Sequence, residues 1–509
     1  MPAPSRTSRL SRLWMSEFAA TITPVSFRNC DIPGGNMRSK QDIADWLDEH
    51  QARFTAMSDE IWDKPELQFL EFKASKLQAD FLAAEGFRIE WDIGGMSTAF
   101  VAEWGAGKPV IAFAGEYDAL PGLSQRDQVS PEPLLAGGAG HGCGHNLLGT
   151  GCLAAAVAFK EWLQSTGRAG TARYYGCPAE EGGSGKVFMG RAGAFDDLDA
   201  TFNWHPSYIN AAMKGSMLSV NRYYFRFHGK TAHAAADPHS GRSALDALEL
   251  MNIGVNYLRE HVTDDVRLHY SILSGGLAPN VVPDYAESYY YVRANEARTL
   301  EDVSQRVIRI AHGAAMMTDT QVEVVYKSGS TRVLSNETLA DLQYDIMREL
   351  GGIDFNAEEQ AYASAINEHF GDANLRTLVN VYGVDAEAAQ QGLIGAVLPS
   401  RDKGLVAPGS TDMGDMSWYA PCSMLQTATW ASQAAAHSWG VVATGRMSIG
   451  HKGMMYAAKV MALSAAELLL SPQILAKAQA EFQAALEGSP YVCPIPDEVS
   501  APRHEHPLR

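Results

Sequence analysis

Apolar residues recur at helical spacing through QDIADWLDEHQARFTAMSDEIWD and again through KASKLQADFLAAEGF, where Gly86 supplies a stop. The chain from about residue 40 therefore predicts two amphipathic helices. PVIAFAGEYDALPG is a short apolar run that breaks into a loop at Gly115, which predicts a buried strand. HNLLGTGCLAAAVAFKEWLQSTG predicts a long helix, and TARYYGCPAEEGGSG and DATFNWHP each predict a strand running into a loop. Strands that end in polar loops beside helices describe an α/β layer structure, in which ligands bind at the strand ends.

The period changes near residue 215. NRYYFRFHG alternates, with Tyr223, Phe225 and Phe227 on one face and Arg222, Tyr224, Arg226 and His228 on the other, so it predicts a half-exposed strand. A helix (SALDALELMNIGVNYLREHV), two strands (VRLHYSILSGG and YAESYYYVRAN), a second helix (TLEDVSQRVIRIAHGAAMM) and a last strand (QVEVVYKSG) follow. The order βαββαβ is ferredoxin-like and makes a small domain of its own. The helical and loop grammar of the first part resumes after Arg332, so this domain reads as an insertion. The expected division is a flexible extension at 1–37, a first catalytic part at 38–214, the insertion at 215–330, a second catalytic part at 331–485 and a tail at 486–509.

Composition narrows the function classes. With 46% hydrophobic and 20% charged residues over 509 positions, the chain suits a soluble protein of two domains. A net charge of −18 repels phosphate backbones and anionic membrane surfaces, so neither nucleic acid nor a membrane is an expected partner. The six cysteines, Cys30, Cys143, Cys152, Cys177, Cys422 and Cys493, are scattered without a CxxC pair, which points to a reducing compartment, the cytoplasm. MMYAAKVMALSAAELLL near residue 460 is interrupted by Lys, Ser and Glu and reads as short of a membrane span. The N-terminal segment, with Arg6, Arg9 and Arg12, reads as an extension or an over-long start ahead of Met15 or Met37 rather than a transit peptide.

The ends of the predicted strands carry the chemistry: Glu116 and Asp118, then Cys143 and His145, then Glu180 and Glu181, then His205. His451, in SIGHKGMM, opens the last long helical segment and is a candidate to complete the set. A thiolate, carboxylates and imidazoles suit Zn²⁺, and Mn²⁺ less strictly. Each residue alone has an ordinary reading: Cys143 a small core hydrophobe, His141 a loop cap, Glu180 and Glu181 a solvated pair. Their repeated placement at strand ends favours a metal site. A phosphate cradle in GGAGHGCGHN is disfavoured, because GxGxxG is absent and no Lys-Ser or Lys-Thr follows.

The motifs GEYDALPGLSQ, GHGCGHNLLGTG, CPAEEGGSGK, FNWHP, HGKTAHAAADPHSGRSALDA, GGLAPNVVPDYAE, STDMGDMSW and GHKGM run in order over about residues 40 to 480. In them the chain resembles the dinuclear metal-dependent amidohydrolase and peptidase family that includes aminoacylases, carboxypeptidase G and the indole-acetyl-amino-acid hydrolases. That resemblance implies a metallopeptidase-like α/β catalytic domain, a mixed sheet flanked by helices, with the inserted ferredoxin-like domain as lid and dimerisation surface. It implies two divalent metal ions, zinc or manganese, on Cys143, His145, Glu181, His205 and His451, with Glu180 as the catalytic carboxylate. The thiolate would sit at a helix N-terminus, where the helix dipole favours it. Asn146 stands where related amidases often carry Asp, as in the aminobenzoyl-glutamate branch.

In relatives the His matching His233 reaches the neighbouring subunit's site to stabilise an oxyanion, and Asn280 resembles a lid asparagine that faces the substrate. Arg293 is a candidate to pair with a substrate carboxylate. The residues by themselves leave open a helix cap for His233 and a surface ion pair for Arg293. The implied activity is hydrolysis of an N-acyl or N-aroyl amino acid, aminobenzoyl-glutamate or a close aromatic analogue, with indole-acetyl conjugates or xenobiotic amides as the alternative. The expected partners are a small-molecule amide substrate and a second copy of the chain through the lid, with a companion subunit left open. A non-catalytic binding protein on the same scaffold would be expected to lose Glu180 or a ligand, and every one is retained.

Overall fold

The structure, a computed structural model, describes residues 40–488 and 490–509. The extension expected at 1–37 lies outside the described residues.

The part before the insertion opens with α1 (Lys40–Asp63) and α2 (Phe72–Ala84), followed by β1 (Arg88–Trp91), β2 (Phe100–Ala106) and β3 (Val110–Glu116). Next come α3 (His145–Thr166), β4 (Gly170–Cys177), α4 (Gly185–Arg191), β5 (Ala200–Ser207) and β6 (Ala211–Ala212). A two-residue strand, β7 (Ser216–Met217), stands at the foot of the insertion. The insertion itself runs β8 (Ser219–His228), α5 (Ala244–Leu258), β9 (Arg267–Ser274), β10 (Tyr285–Ala294), α6 (Ala297–Thr318) and β11 (Gln321–Ser330). The second catalytic part holds α7 (Glu337–Leu350), α8 (Ala357–Asn367), α9 (Leu375–Asn380), β12 (Val406–Ala407), α10 (Met413–Met416) and β13 (Cys422–Ala428). It ends with α11 (Trp439–Thr444), α12 (Ser448–Leu470) and α13 (Pro472–Leu486).

Seven strands form the main sheet in the order β1-β2-β4-β3-β5-β13-β6. The four inner strands β4, β3, β5 and β13 are parallel, and the outer ones pair antiparallel. A parallel strand covered on both faces should be apolar throughout, and β3 and β4 are buried at every position. Along β3 the pleat sends Ile111 and Phe113 into the core under α1, α3 and α12, and Val110, Ala112 and Ala114 into the core under α4 and α10. The helix α12 has the length and apolarity of a membrane span, which the sequence pattern places short of one. It serves here as a core helix, 78% of its apolar window being buried.

The insertion folds as an antiparallel sheet, order β11-β8-β10-β9. The alternation in NRYYFRFHG places Tyr223, Phe225 and Phe227 in a core with α5 and α6, together with Tyr290 and Val292 of β10. Arg222, Tyr224, Tyr289, Tyr291 and Arg293 occupy the opposite face of the sheet. β7 and β12 pair in parallel beside the strand that leads into this sheet. β13, the fourth parallel strand, is not among the strands that the sequence pattern predicts.

Candidate metal centre

The parallel strands deliver their C-terminal ends to one place. Past β3 comes Asp118, past β4 come Glu180 and Glu181, and His205 lies near the end of β5. Between β3 and α3 the chain turns at Gly144, whose φ of 77° is left-handed and whose added Cβ would lie 2.9 Å from Pro206 Cβ. That turn sets Cys143 and His145 on either side of the glycine at the start of α3.

His145 is fully buried, with Nδ1 2.9 Å from Asp118 Oδ1 and 3.1 Å from the Asp118 carbonyl. Both neighbours accept, so Nδ1 carries a proton; burial opposes the charge, but the Cys143 and Asp118 side chains raise the imidazole well above its ordinary value, so Nε2 is the atom open to a metal once its own proton leaves. Nε2 lies 3.3 Å from Glu116 Oε2 without hydrogen-bond alignment and is a buried atom with no partner. The other Asp118 oxygen accepts the Glu181 N–H at 2.9 Å, and Glu181 Oε1 is likewise buried and unpartnered. His205 Nδ1–H donates to the Pro206 carbonyl at 2.7 Å, which turns Nε2 toward Cys143 Sγ at 3.3 Å.

Among the described residues, three sets have their donor atoms within 4.8 Å of one another: Cys143 with His145 and His205, Cys143 with Glu181 and His437, and Glu116 with His145 and Glu180. Cys143 belongs to the first two, so its sulfur is placed to be shared. Electrostatics favour a cation. Burial, offset in part by His145, pushes the Glu181 carboxyl up to about 8, and burial followed by the Glu116 charge raises Glu180. Burial followed by Glu181 lifts the Cys143 thiol, and burial followed by His145 lowers His205 to about 4. Each of these groups is driven toward its neutral form, and a divalent cation reverses the preference for thiolate and carboxylate. Buried ligand atoms without a partner at His145 and Glu181, a soft and borderline donor set and this electrostatic demand fit a metal pair. Lys186, fully buried, supplies a fixed positive charge through Glu116 at 2.6 Å and Asp412 at 2.5 Å.

The structure does not bring His451 into this cluster. It sits in the first turn of α12 with Nε2 2.8 Å from Asp59 Oδ1 and joins no donor set among the described residues. The histidine that joins the cluster instead is His437, on the loop after β13, with Nε2 3.5 Å from Glu181 Oε2. Its φ of 58° is left-handed, and its N–H donates to the Gly142 carbonyl at 3.0 Å, tying it to the Cys143 turn. The signal that points to it is the strand-end position, which is invisible unless β13 is recognised as a strand.

The lid residues lie elsewhere. His233 is exposed, and its Nδ1 accepts the N–H groups of Ala235 and Ala236 at 3.2 and 3.0 Å, which leaves the proton on Nε2 facing out. The Ala234 N–H donates to the Asn280 carbonyl at 3.0 Å, so His233 and Asn280 ride on paired segments of one lid edge. His233 joins no donor set among the described residues. Among the described residues Arg293 makes no ion pair: its partners are Ser410 Oγ at 2.8 Å and His269 Nε2 at 3.2 Å, and it lies 5.4 Å over the Tyr291 ring. Glu180 is among the charges that act on it.

Peptidase family M20/M25/M40 matches the chain over residues 112–460. The chain is 41% identical over 471 residues to a subunit of p-aminobenzoyl-glutamate hydrolase from Escherichia coli (strain K12), covering 90% of this chain and 98% of that protein. Its fold is similar to the crystal structure of an aminobenzoyl-glutamate utilization protein from Klebsiella pneumoniae, at 18% identity and a TM-score of 0.56, over 84% of this chain and 98% of that one. It is also similar to a Bacillus subtilis dinuclear metal binding peptidase of the M20 family, at 19% identity and a TM-score of 0.54, over 83% and 98%.

Proposed function

Since the chain belongs to peptidase family M20/M25/M40, we propose that it hydrolyses the amide bond of N-acyl and N-aroyl amino acids, with p-aminobenzoyl-glutamate or a close aromatic analogue as substrate. The observation that carries this reading is the 41% identity to the p-aminobenzoyl-glutamate hydrolase subunit over 98% of that protein. The retained glutamate pair beside Cys143, His145 and His205 supports a catalytic role over a binding one.

Two divalent cations, zinc or manganese, would be held by Cys143, His145, Glu181, His205 and His437, and supply carbonyl polarisation and a water pKa lowered to near ~7. The chain's own residues do the rest. Glu180, next to Glu181 but in a different donor set, takes the proton of the attacking water and passes it to the leaving amine. Asp118 fixes the His145 ring and the Glu181 backbone, so both ligands keep one orientation. Arg293, a cation with no carboxylate partner among the described residues, receives a substrate carboxylate. Asn280 faces the substrate, and His233, through its outward Nε2–H, stabilises the oxyanion in the site of a second copy joined through the lid. A companion chain is a further partner, supported by the relative's being one subunit of its enzyme. The five described cysteines are all free, in keeping with a reducing cytoplasm.

The test is a turnover assay on p-aminobenzoyl-glutamate and a series of other aroyl and indole-acetyl amino acids, with Zn²⁺ and Mn²⁺ supplied separately. Release of p-aminobenzoate and glutamate at the highest kcat/KM of the series is expected. Absence of turnover on every amide with either metal overturns the proposal.

A further inference from the structure

Glu71 has no place in the chemistry above, yet it is a fully buried carboxyl with no cationic partner among the described residues. It occupies the N-cap position of α2 without capping that helix. Its side chain turns inward instead. Oε1 accepts the N–H of Ala179 at 2.8 Å and of Phe69 at 2.9 Å, and Oε2 accepts the Thr98 hydroxyl at 3.0 Å. Both N–H donors belong to non-glycine residues in the left-handed region, Ala179 at φ 61° and Phe69 at φ 64°. Such residues persist only where the surroundings hold them, and they gather at functional sites.

Ala179 immediately precedes Glu180. The turn it makes is closed by its carbonyl accepting the Gly183 N–H at 2.9 Å, and the Phe69 ring lies so near that a Cβ on Gly183 would be 2.5 Å from it. Segment 66–71 also backs the other side of the cluster, through the Ala119 N–H donating to the Glu66 carbonyl at 2.8 Å. Thr98 extends the chain of bonds, because its carbonyl accepts the Tyr117 hydroxyl next to Asp118. One buried carboxyl thus joins the loop that carries Glu180 and Glu181 to the loop that carries Asp118.

We propose that Glu71 is the positioning residue for the glutamate loop: by accepting the Ala179 N–H it holds the left-handed turn that aims Glu180 and Glu181 into the metal cluster. The inference rests on the proposed hydrolase reading for its catalytic consequence but not for its geometry. The requirement is an acceptor of the right length, not a charge. A side-chain amide can accept both N–H groups and donate to Thr98, so glutamine should serve and an apolar residue should not.

The experiment replaces the metals with Co²⁺ in wild type, Glu71→Gln and Glu71→Ala, and reads the visible absorption of the cobalt alongside kcat, KM and the melting temperature. The expected result is a changed cobalt spectrum and a kcat lower by ~10²-fold at little-changed KM in Glu71→Ala, since a small misplacement of a catalytic group has that effect. Glu71→Gln should keep the wild-type spectrum and most of the turnover. If Glu71→Ala does not accumulate as folded protein, Glu71→Met makes the same test with matched length. A wild-type spectrum in a folded Ala or Met variant overturns the proposal, as does a Gln variant perturbed as much as Ala. Should the wild-type chain hydrolyse none of the amides, the proposed function fails while the cobalt spectrum still decides the role of Glu71.

Discussion

Glu180 and Glu181 are adjacent, and the structure gives them different neighbours: Glu180 falls with Glu116 and His145, Glu181 with Cys143 and His437. Glu180→Gln should therefore keep metal content and melting temperature while losing about 10²- to 10⁴-fold in kcat, as removal of a general base does. A kcat within a few-fold of wild type would remove Glu180 from the proton transfer. If Cys143 binds metal as a thiolate, Cys143→Ser exchanges it for a neutral hydroxyl, and metal content after dialysis should fall. Unchanged metal content would return Cys143 to the role of a packed core thiol. A paired test separates the two histidines. His437→Ala should weaken metal retention by about 10-fold or more, whereas His451→Ala should leave it unchanged and remove only a part-exposed pair with Asp59, worth about 0–1 kcal/mol. Metal titration of the two variants checks this, and the reverse pattern would restore His451 to the cluster.

At the scale of elements, what is legible in the sequence follows from periodicity. The apolar runs of β3, β4 and β5 end abruptly in polar residues, so the pattern alone puts Glu116, Asp118, Glu180, Glu181 and His205 at strand ends, and Cys143 and His145 at a helix start. The inserted sheet is legible because β8 buries alternate residues against α5 and α6. β13 is not legible: CSMLQTA mixes polar with apolar residues and pairs with segments more than two hundred positions away, and His437 is lost with it. Local pattern also says nothing about which remote backbone a buried carboxyl will meet, so Glu71 carries no signal. The helix α3 depends on a contact of that kind. Gly149 lets it lie against the end of β3, where an added Cβ would come 2.3 Å from the Glu116 carbonyl. Gly149→Ala should cost about 1–3 kcal/mol in chemical denaturation and weaken metal retention, because the helix that would have to shift is the one that presents His145. A variant as stable as wild type would mean that α3 and β3 separate freely.

For the whole molecule, the distribution of residues between catalytic part and lid makes one prediction. His233 lies in the insertion, exposed, and joins no donor set among the described residues. If it acts across a two-fold interface, His233→Ala and Glu180→Gln chains, each nearly inactive, should regain activity when mixed and allowed to exchange. The mixed dimer would hold one site with an intact Glu180 and a donated His233. Failure of mixing to restore turnover, with exchange confirmed by mass spectrometry of differently tagged chains, would assign His233 to its own chain.

The segment after α13 runs back over the molecule. Its Tyr491 donates to Asp415 at 2.9 Å, its Pro494 carbonyl accepts the lid's Tyr326 hydroxyl at 2.8 Å, and Arg191 donates to its Pro496 and Val499 carbonyls. It finishes with the His506 ring against Phe72 and Trp91 and with Arg509 paired to Asp92 at 2.6 Å. β1, which carries Trp91, is one of the two edge strands of the main sheet. An edge strand is a template for another strand, and proteins guard such edges with cover and charge. The tail covers the Trp91 end of β1, so a preparation clipped there would be expected to expose that ring and to lose solubility before it loses its fold.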